Sequence, residues 1–228
     1  MPDSGARLLT AASLVRKGTK AADIGTDHAY LPIYLIKNNI SSKVLACDLR
    51  KGPLDNAREN IIKAGCENKI ELRLSDGLDC VKSDEVDDII ICGMGGTLIA
   101  DILSRADWLK NLHYNLVLQP QSHADDLRRY LFENGFEIFK EIPVTDDGRD
   151  YIIINSAFRE KYDNKDNELR IFFGSLLENN DKISKRIAVR TLTYLKVRMK
   201  SEEEYGNPVL SDKLKTIIEQ AEVKLNED

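Results

Sequence analysis

Acidic residues and glycines alternate in one short stretch near the start of the chain, and this stretch has the residue types best suited to chemistry. Asp23, Gly25 and Asp27 directly follow the apolar pair Ala21-Ala22. The pattern predicts a buried strand that ends at Gly25, then a polar loop and a helix. Glycine allows a backbone to approach a ligand closely, because it has no Cβ. An acid two positions before such a glycine indicates a nucleotide-type pocket at the carboxyl edge of a sheet.

The carboxylates of this loop restrict the charge of the ligand. A dinucleotide fingerprint requires G-x-G-x-x-G, whereas this loop has Gly25 followed by Asp27. Phosphate needs bare N–H groups and positive potential, which a carboxylate at position 27 opposes. A cation without phosphate fits better. S-adenosylmethionine carries a sulfonium and an ammonium, so we predict a pocket for this methyl donor.

Two further acids follow predicted strands. Asp48 ends the apolar run 43–48, and it lies 23 residues after Gly25. That is close to the spacing at which a carboxylate meets ribose hydroxyls in doubly wound folds, although a helix cap is the alternative. Asp76 and Gly77 follow the strand 69–74. They would either meet the adenine amino group of the donor or form an ordinary Asp-Gly turn.

Backbone-rich and amide-rich segments follow the next two strands. Gly93-Met94-Gly95-Gly96 comes after the apolar run 86–92, and three glycines in four residues leave space for a flat base. A tight strand-to-helix turn is the alternative, although it would need fewer glycines. Gln119-Pro120-Gln121 ends the run 116–121, where an amide can read a base edge through both its donor and its acceptor.

The elements that position these residues form a recognisable series. Five apolar strand segments alternate with helical patterns, and two alternating strands at 137–144 and 151–158 are joined by Asp146-Asp147-Gly148. This series predicts an α/β fold, a Rossmann-like open sheet of seven strands of the class I methyltransferase type. The acids then fall at the carboxyl ends of the first three strands, within reach of one ligand.

The composition changes after residue 158. A polar linker at 162–167 precedes helical patterns at 168–200 and 208–226, which predict a coiled-coil-like helical hairpin. We therefore expect a donor-binding domain at 1–158 and a helical domain at 159–228. The net charge is −5, but 182–200 carries seven basic residues and no acidic ones, so the remainder carries −12. This basic segment predicts RNA contact, a solvated helix face or a dimerisation surface.

The remaining composition argues for a cytoplasmic location. The four cysteines are scattered without a C-x-x-C pair, so reduced structural thiols are expected rather than disulfides or a metal site. No apolar run reaches membrane-spanning length, and the N-terminus lacks the apolar core of a signal peptide. We expect no membrane contact, and nothing indicates an obligate protein partner.

Together these motifs resemble the bacterial tRNA (adenine-22-N1)-methyltransferases. The resemblance covers most of residues 1–158 in matching order and spacing. The segments that carry it are Asp-Ile-Gly-Thr-Asp-His-Ala-Tyr-Leu-Pro at 23–32, Lys51-Gly52-Pro53, Arg73-Leu74 with Asp76-Gly77-Leu78, Gly93-Met94-Gly95-Gly96 with Leu98-Ile99, and Leu118-Gln119-Pro120.

The resemblance implies S-adenosylmethionine as donor, tRNA as partner and adenine N1 as acceptor. It also implies that Asp27 is the catalytic carboxylate. The residues expected to contact the donor are Asp23, Gly25, Asp48, Leu49, Asp76, Gly77, Gly93 and Met94. The residues expected to contact the substrate are Arg7, His28, Tyr30, Gly95, Gly96, Gln119, Pro120, Gln121, Lys185, Arg186 and Arg190.

The chain departs from the family pattern at two positions. Gln121 stands where the family has Asn, and Asp48 stands where many members have Glu. The first change concerns substrate positioning, and the second conserves a carboxylate for the ribose. The alternative functions are a methyltransferase of this fold that acts on a small molecule or a protein, and a donor-binding scaffold without catalysis.

The chemistry of N1 methylation is consistent with these residues. The ring nitrogen attacks the methyl group directly, so the enzyme has to position the base and manage charge. Asp27 would stabilise the cationic product or help remove an N6 proton. His28 would order the loop or carry a proton, and Tyr30 would stack on the base or pack at the helix start. Phosphate contacts are expected from 182–200 and from Arg7, Arg16 and Lys17.

Overall fold

The computed structural model describes residues 5–160 and 168–226 of the chain. The predicted linker at 162–167 lies outside these residues. The chain divides into two compact units, one within Met1–Asp163 and one within Asn164–Asp228. No helix in the described ranges is long and apolar enough to cross a membrane.

The first unit is built on a seven-stranded sheet with the order β3-β2-β1-β4-β5-β7-β6. β1 to β5 are parallel, whereas β7 runs antiparallel to both β5 and β6. The predicted fold class is therefore confirmed. The strands are β1 Lys20–Ile24, β2 Lys43–Asp48, β3 Ile70–Leu74, β4 Asp88–Met94, β5 Asn115–Pro120, β6 Phe136–Asp146 and β7 Arg149–Phe158.

The strand order places one crevice at the carboxyl edge. β1 lies between β2 and β4, so the chain moves outward in one direction after β1 and in the other direction after β3. Ligands of open α/β sheets bind at such a reversal, because the two flanking loops separate there. The loop that follows β1 therefore begins in the centre of the sheet, where the sequence predicts the pocket.

Helices cover the sheet because the central strands are apolar at consecutive positions. Ile89, Ile90 and Ile91 of β4 are completely buried, as expected for a strand with both faces covered. Helix α3 buries a stripe of Leu54, Ala57 and Ile61. The helices of this unit are α1 Ala6–Ala12, α2 Tyr30–Lys37, α3 Lys51–Ala64, α4 Gly96–Ser104 and α5 Ala124–Glu133, with a short 3₁₀ helix at Asp107–Leu109.

The edge hairpin is formed as its turn sequence predicts. Asp147 and Gly148 connect β6 to β7, and both have positive φ, at 48° and 71°. Positive φ at both central residues gives the turn the twist of the flanking strands. The hairpin pairs with β5 through β7, and it completes the sheet at this edge.

The second unit contains α6 Glu168–Phe173, α7 Lys182–Tyr205 and α8 Pro208–Asn226. α7 and α8 run antiparallel, because Ser211 Oγ donates to Met199 O while Lys196 pairs with Glu222. The predicted hairpin is confirmed.

The single helical pattern expected at 168–200 is wrong in one respect. Gly174 has a φ of 56° and follows α6, and Asp181 caps a new helix by accepting from the backbone N–H groups of Ile183 and Ser184. A left-handed glycine ends a helix and an aspartate at the N-cap starts another, so the apolar periodicity continued across a break.

A buried carboxylate organises the amino edge of the sheet. Asp88 opens β4 and is completely buried. Its carboxylate accepts hydrogen bonds from Arg16 N, Arg16 Nε and Asn115 Nδ2, each at 2.8 Å. Asn115 also donates to Leu14 O, at 3.2 Å. Arg16 therefore lies at the edge opposite the predicted pocket and ties the segment after α1 to the sheet.

We predict that Asp88→Ala lowers the free energy of unfolding by about 2–4 kcal/mol, because three donors lose a charged acceptor. Urea unfolding followed by circular dichroism measures the change. Glu67→Ala removes an exposed carboxylate in the turn before β3 and should change stability by less than about 0.5 kcal/mol. Equal stability of the two variants would contradict the structural role of Asp88.

Candidate active site

The loop after β1 is fastened to the end of β2. The backbone N–H groups of Gly25 and Thr26 both donate to Cys47 O, at 2.8 and 2.9 Å. Gly25 has a φ of 82°, and a Cβ there would lie 2.5 Å from the terminal methyl of Met94. Only glycine fits this backbone without strain. The loop therefore brings Gly25, Met94 and the neighbouring Asp48 to one place.

Asp23 is the buried charge of this site. Its side chain is in the penultimate residue of β1, and the residue is 5% exposed. Burial raises the pKa of Asp23 to about 6, and the nearby Asp48 also raises this pKa, whereas Thr26 and Arg7 lower it. The carboxylate is therefore ionised at neutral pH, but only at a cost in desolvation.

The Thr26 hydroxyl is a buried polar group that lacks a regular hydrogen-bond partner among the described residues. It is buried and makes no hydrogen bond of regular geometry with the described residues. It nevertheless lies close enough to Asp23 to lower the pKa of that carboxyl. Buried hydroxyls are normally paired, so Thr26 marks a position where a ligand would find a hydrogen-bonding group.

Asp27 projects from a strained turn. Asp27 and Ala29 have positive φ values of 44° and 56°, on either side of His28. The left-handed region is unfavourable for a residue with a Cβ, and such strain is found at functional sites. The Asp27 side chain is 63% exposed, and its Oδ2 lies 3.5 Å from His28 Nε2. The loop therefore presents a carboxylate to solvent at the edge.

His28 and Tyr30 form an aromatic pair beside this carboxylate. Their ring centroids are 5.2 Å apart at an interplanar angle of 19°. Asn60 of α3 donates to His28 O at 3.0 Å, which holds the loop against that helix. The ring of Tyr30, the first residue of α2, thus lies against the ring of His28. Both residues remain half-exposed and available to a planar substrate.

Asp48 is positioned by the start of α3. It is buried, and its Oδ1 accepts from Arg50 N at 2.9 Å. Arg50 occupies the N-cap of α3 and no side chain caps that helix, so the alternative prediction of an Asp48 helix cap is not observed. Leu49 is 63% exposed directly beside this carboxylate.

Asp76 and Gly77 are held in the loop after β3. Arg105 donates to Asp76 Oδ1 at 3.1 Å and also pairs with Asp79. Gly77 has a φ of 55°, and a Cβ there would lie 2.8 Å from Ile102. The turn conformation and the packing against Ile102 therefore explain Gly77. Asp76 is paired with Arg105, which was not predicted from the sequence.

The three glycines at the end of β4 and the start of α4 have separate explanations. Gly93 has a φ of 88°, which requires glycine. Gly96 packs so closely against the backbone carbonyl of His123 that a Cβ would collide with it. Gly95 is the N-cap of α4, and a Cβ there would be 3.3 Å from Ser122 Oγ. The backbone conformation thus requires glycine at position 93 and packing requires it at position 96, so the chain itself accounts for two of the three glycines.

Arg7 of α1 contacts the carboxyl edge of the sheet at the end of β5. Its Nη1 donates to Gln119 Oε1 at 2.7 Å, and its Nε lies 3.8 Å from Asp146 Oδ2. Gln119 is completely buried and donates to Pro120 O at 2.9 Å. Gln121 is exposed, and its backbone N–H donates to Met94 O at 2.8 Å. This set was expected from the sequence only as separate substrate contacts.

Two cysteines lie close enough to Asp23 to feel its charge. Burial raises the pKa of Cys47 and the pKa of Cys92 to about 12. Because the thiolate is the reactive form, this shift lowers the reactivity of both thiols at neutral pH. Both cysteines are free thiols, as the sequence predicts.

The structure thus brings most of the predicted residues of the first unit to one edge of the sheet. Lys185, Arg186 and Arg190 belong to α7 of the second unit, where Arg186 and Arg190 are exposed. Thr26, Asp146 and Arg105 were not predicted as site residues. Thr26 directly follows Gly25, which was a usable signal. Asp146 was predicted only as part of the hairpin turn, and Arg105 is distant in sequence and belongs to no motif.

Comparison with known proteins identifies relatives of this chain. A family model described as a methyltransferase domain matches residues 4–154. The tRNA (adenine(22)-N(1))-methyltransferase of Bacillus subtilis (strain 168) is 37% identical over 148 residues. That alignment covers 65% of this chain and 62% of the B. subtilis protein, so the match spans less than two thirds of the relative.

Solved structures extend the likeness over the whole chain. The B. subtilis M1A22 tRNA methyltransferase TrmK is 29% identical with a TM-score of 0.84, over 100% of this chain and 99% of that one. TrmK of M. capricolum, solved with S-adenosylhomocysteine, is 29% identical with a TM-score of 0.79, over 97% of each chain. The resemblance seen in the sequence is confirmed. The chain therefore belongs to the methyltransferase family, in the group that contains the tRNA (adenine(22)-N(1))-methyltransferases.

Proposed function

We propose that this protein transfers a methyl group from S-adenosylmethionine to N1 of adenine 22 in tRNA. The observation that carries the proposal is the likeness to tRNA (adenine(22)-N(1))-methyltransferases together with an edge lined by carboxylates. A cytoplasmic location follows from the substrate.

The edge fits the proposed donor. When bound, S-adenosylmethionine supplies a methyl group activated by its sulfonium. Asp48 ends β2 with a carboxylate that suits ribose hydroxyls, and the backbone at Gly25 allows close approach. The buried Thr26 hydroxyl, which makes no hydrogen bond of regular geometry, offers a further hydrogen-bonding group. Asp23 provides negative charge for an ammonium. M. capricolum TrmK was solved with the corresponding product, S-adenosylhomocysteine.

Asp27 is the carboxylate that we assign to catalysis. The product, 1-methyladenine, is cationic, and a carboxylate next to the base stabilises the charge that develops on the ring. Asp27 is exposed and held in a left-handed turn, so its side chain points away from the sheet rather than into the core. No covalent intermediate is needed, because N1 attacks the methyl group directly.

The aromatic pair next to Asp27 suits the target base. N1 lies on the Watson–Crick edge of adenine, so the base has to leave its stack before reaction. Bases that are flipped out are commonly held by aromatic stacking. His28 and Tyr30 are parallel and half-exposed, and they offer such a surface on the same loop as the carboxylate.

The second unit offers a phosphate-binding helix. Arg186, Arg190 and Tyr194 are four residues apart, so they share one exposed face of α7. Arginines neutralise backbone phosphates, and an exposed tyrosine stacks on an unpaired base. We therefore assign Lys185, Arg186 and Arg190 to tRNA contact, in preference to a merely solvated face.

The proposed function makes three predictions, and the first of them concerns the reaction itself. With S-adenosylmethionine, the wild-type protein should methylate an unmodified tRNA transcript so that primer extension stops at position 22. Asp27→Asn should lower kcat by about 10²–10³-fold and change donor affinity less than about threefold, because it removes a charge that acts in the transition state.

A transcript with G22 in place of A22 is the matched control and should not be methylated. Methylation of both transcripts would contradict the position. Donor binding without transfer to any tRNA would move the search to small-molecule or protein substrates, or to a scaffold role.

The second prediction concerns Asp23 and pH. If the ionised carboxylate binds the donor ammonium, S-adenosylhomocysteine should bind more weakly as the pH falls through about 6, where Asp23 becomes protonated. Asp23→Asn should bind about 10–100-fold more weakly at pH 7.5, with little dependence on pH between 5 and 7.5. Isothermal titration calorimetry measures both.

Asp23→Asn should weaken ligand binding but raise the stability of the protein. The pKa of Asp23 is raised from 3.8 to about 6, so the folded state binds a proton more tightly, and this stabilisation is lost as pH rises from about 4 to 6. At pH 7.5, Asp23→Asn should raise the free energy of unfolding by roughly 1–3 kcal/mol. A variant that lost both stability and binding would contradict this role.

The third prediction concerns α7. Charge reversal of Lys185, Arg186 and Arg190 to Glu should weaken tRNA binding and reduce the slope of log affinity against log salt by about 2–3. Filter binding over a salt series measures this slope. Reversal of Lys213, Lys215 and Lys224 on α8 changes the charge equally and is the matched control. Equal slopes for the two variants would remove α7 from tRNA binding.

A further inference from the structure

The loop that carries Asp27 is held by different contacts in its two halves. In the first half, two backbone N–H groups donate to Cys47 O at the end of β2. The second half contains Asp27 and His28, and it ends at Ala29, whose backbone N–H donates to Thr26 O at 2.9 Å. Asp27 and Ala29 are both left-handed, with φ values of 44° and 56°. Residues with a Cβ keep this conformation only where the surroundings enforce it.

Asn60 of α3 supports this second half from another element of the fold. Its Nδ2 donates to His28 O at 3.0 Å, although the two residues are 32 positions apart. The carbonyl lies between the two left-handed residues, so its orientation depends on the backbone angles on both sides. The hydrogen bond therefore favours the unusual backbone of the turn over the extended alternatives.

Helix propensity does not explain an asparagine at position 60. The residue lies inside α3, Lys51–Ala64, away from both ends, where asparagine is a poor helix former. Asn56 lies one turn earlier on the same helix and is exposed, and its side chain makes no hydrogen bond with the described residues. Asn60 is half-buried and bonded to the loop. The two asparagines thus differ in their contact and not in their residue type.

The position of the Asp27 carboxylate depends on this stretch of backbone. Its side chain is 63% exposed, so packing does little to hold it, and its Oδ2 lies 3.5 Å from His28 Nε2. The carboxylate and the imidazole would move together if the His28 carbonyl turned. A reacting group that is misplaced by about 1 Å can lower a rate by about 10²-fold.

We propose that Asn60 is a positioning residue of the methyl-transfer reaction. Its amide holds the His28 carbonyl, and this contact places the Asp27 carboxylate beside the target base. The inference rests on the proposed function, because it takes Asp27 as the carboxylate that acts on adenine. Asn60 acts through the loop and touches neither the donor nor the base.

The test is a double-mutant cycle on single-turnover methylation of the tRNA transcript at saturating S-adenosylmethionine. Asn60→Ala should lower the rate by about 10–100-fold and change the affinity for S-adenosylhomocysteine by less than about threefold, because it displaces the carboxylate only. In the Asp27→Asn background, the same substitution should lower the rate by less than about twofold, because no carboxylate is left to misplace.

Further variants separate the hydrogen bond from damage to the helix. Asn56→Ala is the matched control, and it should keep the rate within about twofold of wild type. Asn60→Gln retains an amide donor and should recover part of the lost rate. Alanine favours a helix more than asparagine does, so Asn60→Ala should fold, which circular dichroism verifies. Asn60→Leu, which also lacks a donor, replaces it in the cycle if it does not fold.

Equal rates for Asn60→Ala and Asn56→Ala would overturn the proposal. It would also be overturned if the losses from Asn60→Ala and Asp27→Asn multiplied in the double variant, or if Asn60→Ala bound S-adenosylhomocysteine more weakly in proportion to its loss of rate. Failure of the wild type to methylate any transcript would instead overturn the proposed function itself.

Discussion

A negative charge buried at the centre of the sheet is the constraint on which this site depends. Asp23 sits between β2 and β4, where desolvation raises its pKa to about 6. A buried carboxylate that stays ionised needs positive charge or hydrogen bonds nearby, or a ligand that supplies them. Arg7 from α1 and the Thr26 hydroxyl approach it from two sides. The N-terminal helix therefore contributes to the electrostatics of the site through Arg7.

Much of the fold could be predicted because its signals are local. Consecutive apolar residues such as Ile89–Ile91 identify a strand covered on both faces, and Asp147-Gly148 identifies a tight hairpin turn. The break between α6 and α7 was not predicted. Apolar spacing continues across Gly174 and Asp181, and periodicity records which side is buried rather than whether the backbone is continuous.

Site residues could be predicted from the sequence where an acidic residue lies at the end of a strand. They could not be predicted where the contact joins residues that are far apart in the sequence. Asp23 and Asp48 follow apolar runs, so parallel topology alone brings them together. Arg7 and Gln119 are 112 positions apart, and no spacing rule connects a residue of α1 to the end of β5. The same limit applies to the glycines. Gly96 is required by the backbone of His123, which a local reading of the glycine run as an open surface for a base does not include.

The charged residues at the amino edge of the sheet stabilise the fold, whereas those at the carboxyl edge form the candidate site. At the amino edge, Asp88 is as buried as a core residue and receives three hydrogen bonds from Arg16 and Asn115, so its charge is matched within the protein. At the carboxyl edge, Asp23 remains costly to ionise, and Asp27 stands in a left-handed backbone. Both features oppose folding, and a fold keeps them only where the surroundings enforce them. The charge of Asp88 is matched by donors within the protein, whereas the charge of Asp23 is only partly compensated and is complementary to a cationic donor.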